Sequence, residues 1–156
     1  MKEADKTVTR KHKVISVNKK AYHDYEILDK YEAGIQLQGT EVKSLRNMKA
    51  SISESYGKVK NGEVWLYNVN IPEYKHGNIS NHQPKRNRKL LLKKNEIRKL
   101  QQKLNDKSMT LIPLKIYFSG PYAKLEIGLA RGKKIYDKRE SMKSAEIKRK
   151  LNRIKI

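Results

Sequence analysis

A chain of 156 residues with 37% hydrophobic side chains and no cysteine suits one domain with tails, and its composition excludes disulfides and thiolate metal sites. No apolar run approaches the ~18 residues that cross a bilayer, and no apolar h-region follows Lys2 and Lys6, so neither a membrane span nor a secretory leader is expected and the compartment expected is the cytoplasm. The formal net charge of +21 is clustered, with seven Lys/Arg against two acids in residues 1–20, nine against one in 85–103 and eleven against three in 131–156; a polyanion would relieve the self-repulsion, which points to nucleic acid rather than membrane.

Residues 1–15 are basic, without a clear period, and read as a flexible arm. From Tyr25 to Gln38 the pattern alternates, with Ile35 and Leu37 facing one way, as a half-buried strand requires. After Gly39 the period changes. Val42 and Leu45 lie three apart, Thr40 can cap and Glu41 suits the positive start of a short helix. Asn61-Gly62 between Tyr56–Lys60 and Glu63–Val69 predicts a β-hairpin with a type I′ turn. On its second strand Trp65, Tyr67, Val69 and Ile71 should share a face, and Pro72 should end it.

Residues 73–89 are polar and read as a long loop with a basic end, followed by Leu90-Leu91-Leu92. A helix is expected from about Asn95 to Leu104, with Ile97, Leu100 and Leu104 on one stripe. Two strands close the domain. In the first, Thr110, Ile112, Leu114, Ile116 and Phe118 alternate with the residues between, and Pro113 marks an edge or a bulge. A turn at Ser119-Gly120-Pro121 leads to the second, where Ala123, Leu125, Ile127 and Leu129 share a face. Beyond Arg131 apolar content falls away, and the basic tail should be disordered alone and helical only on a neutralising surface. Ile147, Leu151 and Ile154 would then form a narrow stripe.

The fold class expected is mainly β with helices: a single OB-like antiparallel barrel over residues 16–131, with flanking helices, an arm at 1–15 and a tail at 132–156. Such barrels bind oligonucleotides through one sheet face and its loops. No catalytic residue, metal site or cofactor is expected. The four histidines form no metal pair, no phosphate loop or nucleophile elbow is present, and Glu32, Glu41 and Glu126 read as partners for basic neighbours. Most aromatics on amphipathic strands pack in the core. Tyr22, Tyr122 and Tyr136 are the stacking candidates, because each has polar or basic neighbours.

Several blocks carry a resemblance. Gly39-Thr-Glu-Val-Lys-Ser-Leu-Arg46, Arg86-Asn-Arg-Lys-Leu-Leu-Leu92 and Ile127-Gly-Leu-Ala-Arg-Gly-Lys-Lys-Ile-Tyr-Asp-Lys-Arg139 resemble the signature blocks of the small protein B (SmpB) family, the SsrA-binding proteins of bacteria. Glu32-Ala-Gly34, Leu37-Gln-Gly39, Asn61-Gly62 and Ile112-Pro-Leu114 also match, in colinear order from about Asn18 to Arg139.

The resemblance implies an adaptor without an active site, expected as a monomer. It would bind the tRNA-like domain of transfer-messenger RNA (tmRNA, SsrA RNA). It would deliver that RNA, charged with alanine and carried by elongation factor Tu, to ribosomes stalled without a stop codon, for trans-translation. Glu32, Leu91 and Lys124 match positions on the family's RNA-binding face. Lys124 can meet phosphate, Glu32 can accept from a base edge or ribose hydroxyl or position a basic neighbour, and Leu91 can touch a splayed base or sugar. Asn18, His23, Lys43, Arg46, Arg86, Arg88 and Lys89 are further RNA-binding candidates. Gly132, Tyr136, Asp137, Lys138 and Arg139 match the start of the tail that the resemblance places in the small-subunit decoding centre and the vacant mRNA channel. Some members carry His where this chain has Tyr136, which preserves stacking but not an imidazolium. The alternative reading is a general single-strand-binding OB protein, which would take DNA and RNA alike with steep salt dependence.

Overall fold

The computed structural model describes residues 12–76 and 81–133. Along the chain run β1 (His12–Val17), α1 (Lys19–Asp24), β2 (Tyr25–Ile35), α2 (Gly39–Arg46), β3 (Tyr56–Lys60), β4 (Glu63–Tyr67), β5 (Arg88–Leu91), α3 (Lys94–Lys103), β6 (Met109–Ser119) and β7 (Tyr122–Gly132). The fold is mainly β with a few short helices, and every strand pair is antiparallel. Neighbours run β1-β6-β3-β4-β5-β2-β7, and β7 also pairs with β6. All strands but β1 therefore have a partner on each side, which satisfies backbone groups that an open edge would leave exposed.

The inward faces form one core. Val64 and Leu66 of β4, Leu90 of β5, Ala33 and Ile35 of β2, and Leu125, Ile127 and Leu129 of β7 meet Leu45 of α2 and Leu100 of α3. Fully burying each large aliphatic side chain contributes about 1.5–3 kcal/mol. The predicted helices occur within a residue of their expected places, but the cap of α2 differs. Gln38 is the N-cap, and the Glu41 carboxylate accepts from its backbone N–H at 2.7 Å. Thr40 instead bonds His82 Nδ1 at 2.8 Å.

The hairpin turn is as expected: Asn61 and Gly62 both have positive φ, 53° and 73°. The face beyond it is not. Asn68 adopts φ 65°, ending β4 at Tyr67 and breaking the two-residue period. Val69 and Ile71 therefore turn into the core, whereas Trp65 and Tyr67 stay half-buried on the outward side.

Pro113 does mark a bulge, in a strand that is not an edge. The β6–β7 register shifts between Pro113 and Lys115. The shift splits the expected stripe: Ile112 and Leu114 pack with Ala21 of α1 and Ala130, while Ile116 and Phe118 enter the main core.

The strand at His12–Val17 replaces the last residues of the expected arm. It pairs with Lys115–Ser119, where β3, which meets β6 only at Leu111, leaves that edge without a neighbour. A bulge between Val14 and Ser16 interrupts its alternation, and so its period is invisible in the sequence. Gly132, expected to open the tail, is the last residue of β7 and pairs with Tyr25.

Candidate nucleic-acid interface

The register brings distant residues into one transverse row. Leu91 lies opposite Gly34, Gly34 opposite Lys124, Lys124 opposite Tyr117, and Tyr117 opposite Val14. The next row on the same face runs Glu32, Glu126, Lys115 and Val17. Glu32, Leu91 and Lys124 thus gather around Gly34 from three strands. The glycine has a steric reason: a Cβ there would sit 3.3 Å from Leu91 Cβ. Its absence leaves a shallow step beside Leu91, which is 53% exposed although Leu90 is buried.

Each side chain on this face has a distinct environment. Tyr117 is 4% exposed, and its hydroxyl donates to Glu32 Oε2 at 2.6 Å. Burial and the Glu32 carboxylate push the phenol well above its ordinary pKa, so it remains a donor at neutral pH. Its ring stacks on His12 at 5.5 Å, and the Lys115 ammonium lies 5.2 Å from the ring centre. Glu126 faces Lys30 and Lys115, each at 3.8 Å. Lys124 has no carboxylate partner among the described residues, which leaves its charge for an outside anion. Val14 and Val17 add exposed apolar surface at one end of the face.

The other predicted residues divide sharply. Asn18 is 1% exposed and serves as a clasp. Its side chain caps α1 by accepting from the Ala21 N–H at 3.1 Å, and it donates to the carbonyls of Pro113 at 2.9 Å and Ile52 at 3.3 Å. Arg88 is 0% exposed, hence not on the surface at all. Its Nε donates to Glu41 Oε2 at 2.5 Å, and its other nitrogens donate to the carbonyls of Val69, Arg86 and Pro84. Arg86 is partly buried and donates to Glu41 Oε1 and the Gln36 carbonyl. Burial pushes the Glu41 carboxyl up, but Arg86, the Gln38 N–H and Arg88 outweigh it, and the net direction is down. The alternation of Arg86-Asn87-Arg88 with the following leucines carried the clue to this inward arginine.

His23, Lys43, Arg46 and Lys89 do reach the surface. His23 bonds Asp24 at 2.9 Å, Lys43 sits 5.5 Å from the Tyr74 ring, and Lys89 pairs with Glu63 at 3.2 Å. Tyr22 and Tyr122 are exposed, as expected. Tyr136, Asp137, Lys138 and Arg139 lie outside the described residues. Sequence reasoning missed Tyr117 and Gly34, whose places follow only from the register.

Among the described residues, no group of three His, Asp or Glu could hold a metal ion, and no helix is long and apolar enough to cross a membrane. Residues 15–155 match the family model described as SmpB protein. The chain belongs to the SmpB family. The match begins inside β1 and continues past Arg139, where the motif resemblance ended. The SsrA-binding protein of Thermosipho africanus is 56% identical over 141 residues, covering 90% of this chain and 95% of that one. That of Carboxydothermus hydrogenoformans is 55% identical over 141 residues with the same coverage. That of Streptococcus mutans is 56% identical over 140 residues, 90% of each chain. Among solved structures, one described as "tmRNA-SmpB: a journey to the center of the bacterial ribosome" superposes with a TM-score of 0.66 at 52% identity, covering 77% of this chain and 85% of that chain.

Proposed function

We propose that this chain is a tmRNA-binding adaptor of trans-translation, which presents the tRNA-like domain of that RNA to stalled ribosomes in the cytoplasm. The observation that carries the reading is the convergence of Leu91, Lys124 and Glu32 around Gly34. An exposed leucine beside a lysine that has no ion-pair partner among the described residues and an exposed carboxylate supplies apolar contact, phosphate attraction and a hydrogen-bond acceptor within one small area. The circuit of strand pairings supports an OB-like barrel as its scaffold. The names of the relatives and of the ribosome-bound structural neighbour support the partner RNA and the ribosome.

The finer assignments follow the same reading. Glu32, Leu91 and Lys124 touch RNA, while His23, Lys43, Arg46, Arg86 and Lys89 supply surrounding charge. Asn18 and Arg88 contribute by holding strands and loop in place rather than by contact. Residues 1–15 and 132–156 act as arm and tail around the body, although His12–Val17 and Gly132 are paired strand residues. The tail, with Tyr136, Asp137, Lys138 and Arg139, addresses the decoding centre and mRNA channel. Elongation factor Tu joins through the alanyl-charged RNA, and the protein acts as a monomer without catalysis of its own.

A competition assay at about 0.15 M salt, where nonspecific cation–phosphate attraction is partly screened, tests the reading. Labelled tRNA-like domain should resist displacement by ordinary tRNA and single-stranded DNA by several-fold or more. Equal displacement by all three would overturn it.

A further inference from the structure

On the far side of the strand circuit from Lys124, β3 and β4 present a second, different face. β4 is three strands from β7 in either direction around the pairing order. Its inward residues, Val64 and Leu66, are core. Its outward residues are Glu63, Trp65 and Tyr67, none of them fully buried. The register sets Lys58 of β3 and Lys89 of β5 on either side of Trp65, and Tyr56 opposite Tyr67. The two tyrosine rings are parallel to within 15° at 5.3 Å, and the Lys58 ammonium lies 5.6 Å from the Tyr56 ring. Beside them, a shallow groove of about 340 Å³ is lined by Lys60, Asn61, Glu63, Trp65, Tyr67 and Asn87.

We propose that this aromatic and lysine face of the β3–β4 hairpin is a second binding surface, which takes single-stranded RNA by stacking unpaired bases on Trp65 and Tyr67. The chemistry is complementary on both counts. Half-exposed flat rings offer π-faces to any base. Lys58, Lys60 and Lys89 outnumber the one carboxylate, Glu63, which Lys89 already engages at 3.2 Å. The geometry favours single strands because a duplex hides its base faces and could offer only phosphates to the lysines. Together with the Leu91–Gly34–Lys124 face, it would let one small body hold a folded RNA and an unpaired strand at once.

Trp65 is the only tryptophan in the chain, so its fluorescence reports this face directly. Full-length protein would be titrated at about 0.15 M salt with an eight-nucleotide single-stranded oligouridylate, and separately with an RNA duplex carrying the same number of phosphates. The expected result is saturable quenching by the single strand at several-fold lower concentration than by the duplex. Tyr67→Ala and Lys58→Ala should each weaken it roughly fivefold or more, with the circular-dichroism spectrum unchanged, while Lys124→Ala should leave it as it is. Absence of quenching, equal quenching by the duplex, or equal weakening by Lys124→Ala would each overturn the proposal.

Discussion

At the residue scale, the proposed RNA face depends on unequal roles for its charges. Lys124 has no carboxylate partner among the described residues, whereas Lys30 and Lys115 flank Glu126. Lys124→Ala should therefore weaken binding of the tRNA-like domain and lower the slope of log affinity against log salt by about 1. Its circular-dichroism spectrum and melting curve should match wild type, because a half-exposed lysine supports no neighbour. Tyr117 acts differently. Its hydroxyl fixes Glu32 from below through the 2.6 Å bond, and a carboxylate keeps further lone pairs for an outside donor. Tyr117→Phe keeps the ring against His12 and Lys115 but frees Glu32. We expect about 1–2 kcal/mol less unfolding free energy and an RNA affinity reduced several-fold with its salt slope unchanged. That split separates positioning of Glu32 from loss of a phosphate contact, and titration of both variants over a salt series would read it.

At the element scale, the determining contact is the clasp of α2 on the segment leading into β5. Glu41, fully buried, receives Arg86 and Arg88 while also capping its own helix. Glu41→Gln would leave the fully buried Arg88 without its counter-charge, and about 3–5 kcal/mol of stability should go with it. Urea unfolding measures the loss. The pH dependence has a definite sign. Because the folded carboxyl titrates below its unfolded value of about 4.3, its contribution is whole above that pH and disappears as pH falls through the lower folded value. The stability gap between wild type and Glu41→Gln should therefore start to narrow as pH falls below about 4.3 and close only below the lower folded value. Sequence reading found α2, and it found Glu41 as a partner for basic neighbours. It did not find that the partners were Arg86 and Arg88, more than forty residues on, because tertiary pairing leaves no local period. The hairpin was legible from Asn61-Gly62, since only few residue types tolerate that turn. Its continuation was not, because Asn68 at φ 65° breaks the alternation without a glycine to announce it.

At the scale of the whole molecule, the three charge clusters do not share one fate. The cluster at 85–103 is part internal, with Arg88 consumed by the core and Arg86 by Glu41, and part outward, through Lys89 and the exposed side of α3. The first cluster overlaps β1 and α1, so some of its lysines belong to the body. The third begins on the last paired residues of β7: Arg131 and Gly132 are strand, and the Lys133 N–H donates to the Asp24 carbonyl at 3.0 Å. Pairing with the body thus extends at least through Lys133, two residues past the Arg131 boundary that composition suggests. Residues 134–156 carry nine Lys/Arg against three acids, and the Leu91–Gly34–Lys124 row is built wholly from residues before them. A chain ending at Lys133 should thus keep every pairing of β7 with β2 and β6 and unfold at nearly the wild-type temperature. It should bind the tRNA-like domain within a few-fold of wild type, because Glu32, Leu91 and Lys124 all remain. In a reconstituted translation reaction stalled on an mRNA without a stop codon, the same truncated protein should give no tagged product, since the proposed reading assigns the ribosome to the missing segment. Equal loss of RNA affinity and tagging would show that the tail serves the RNA instead, and full tagging would remove it from the ribosomal step altogether.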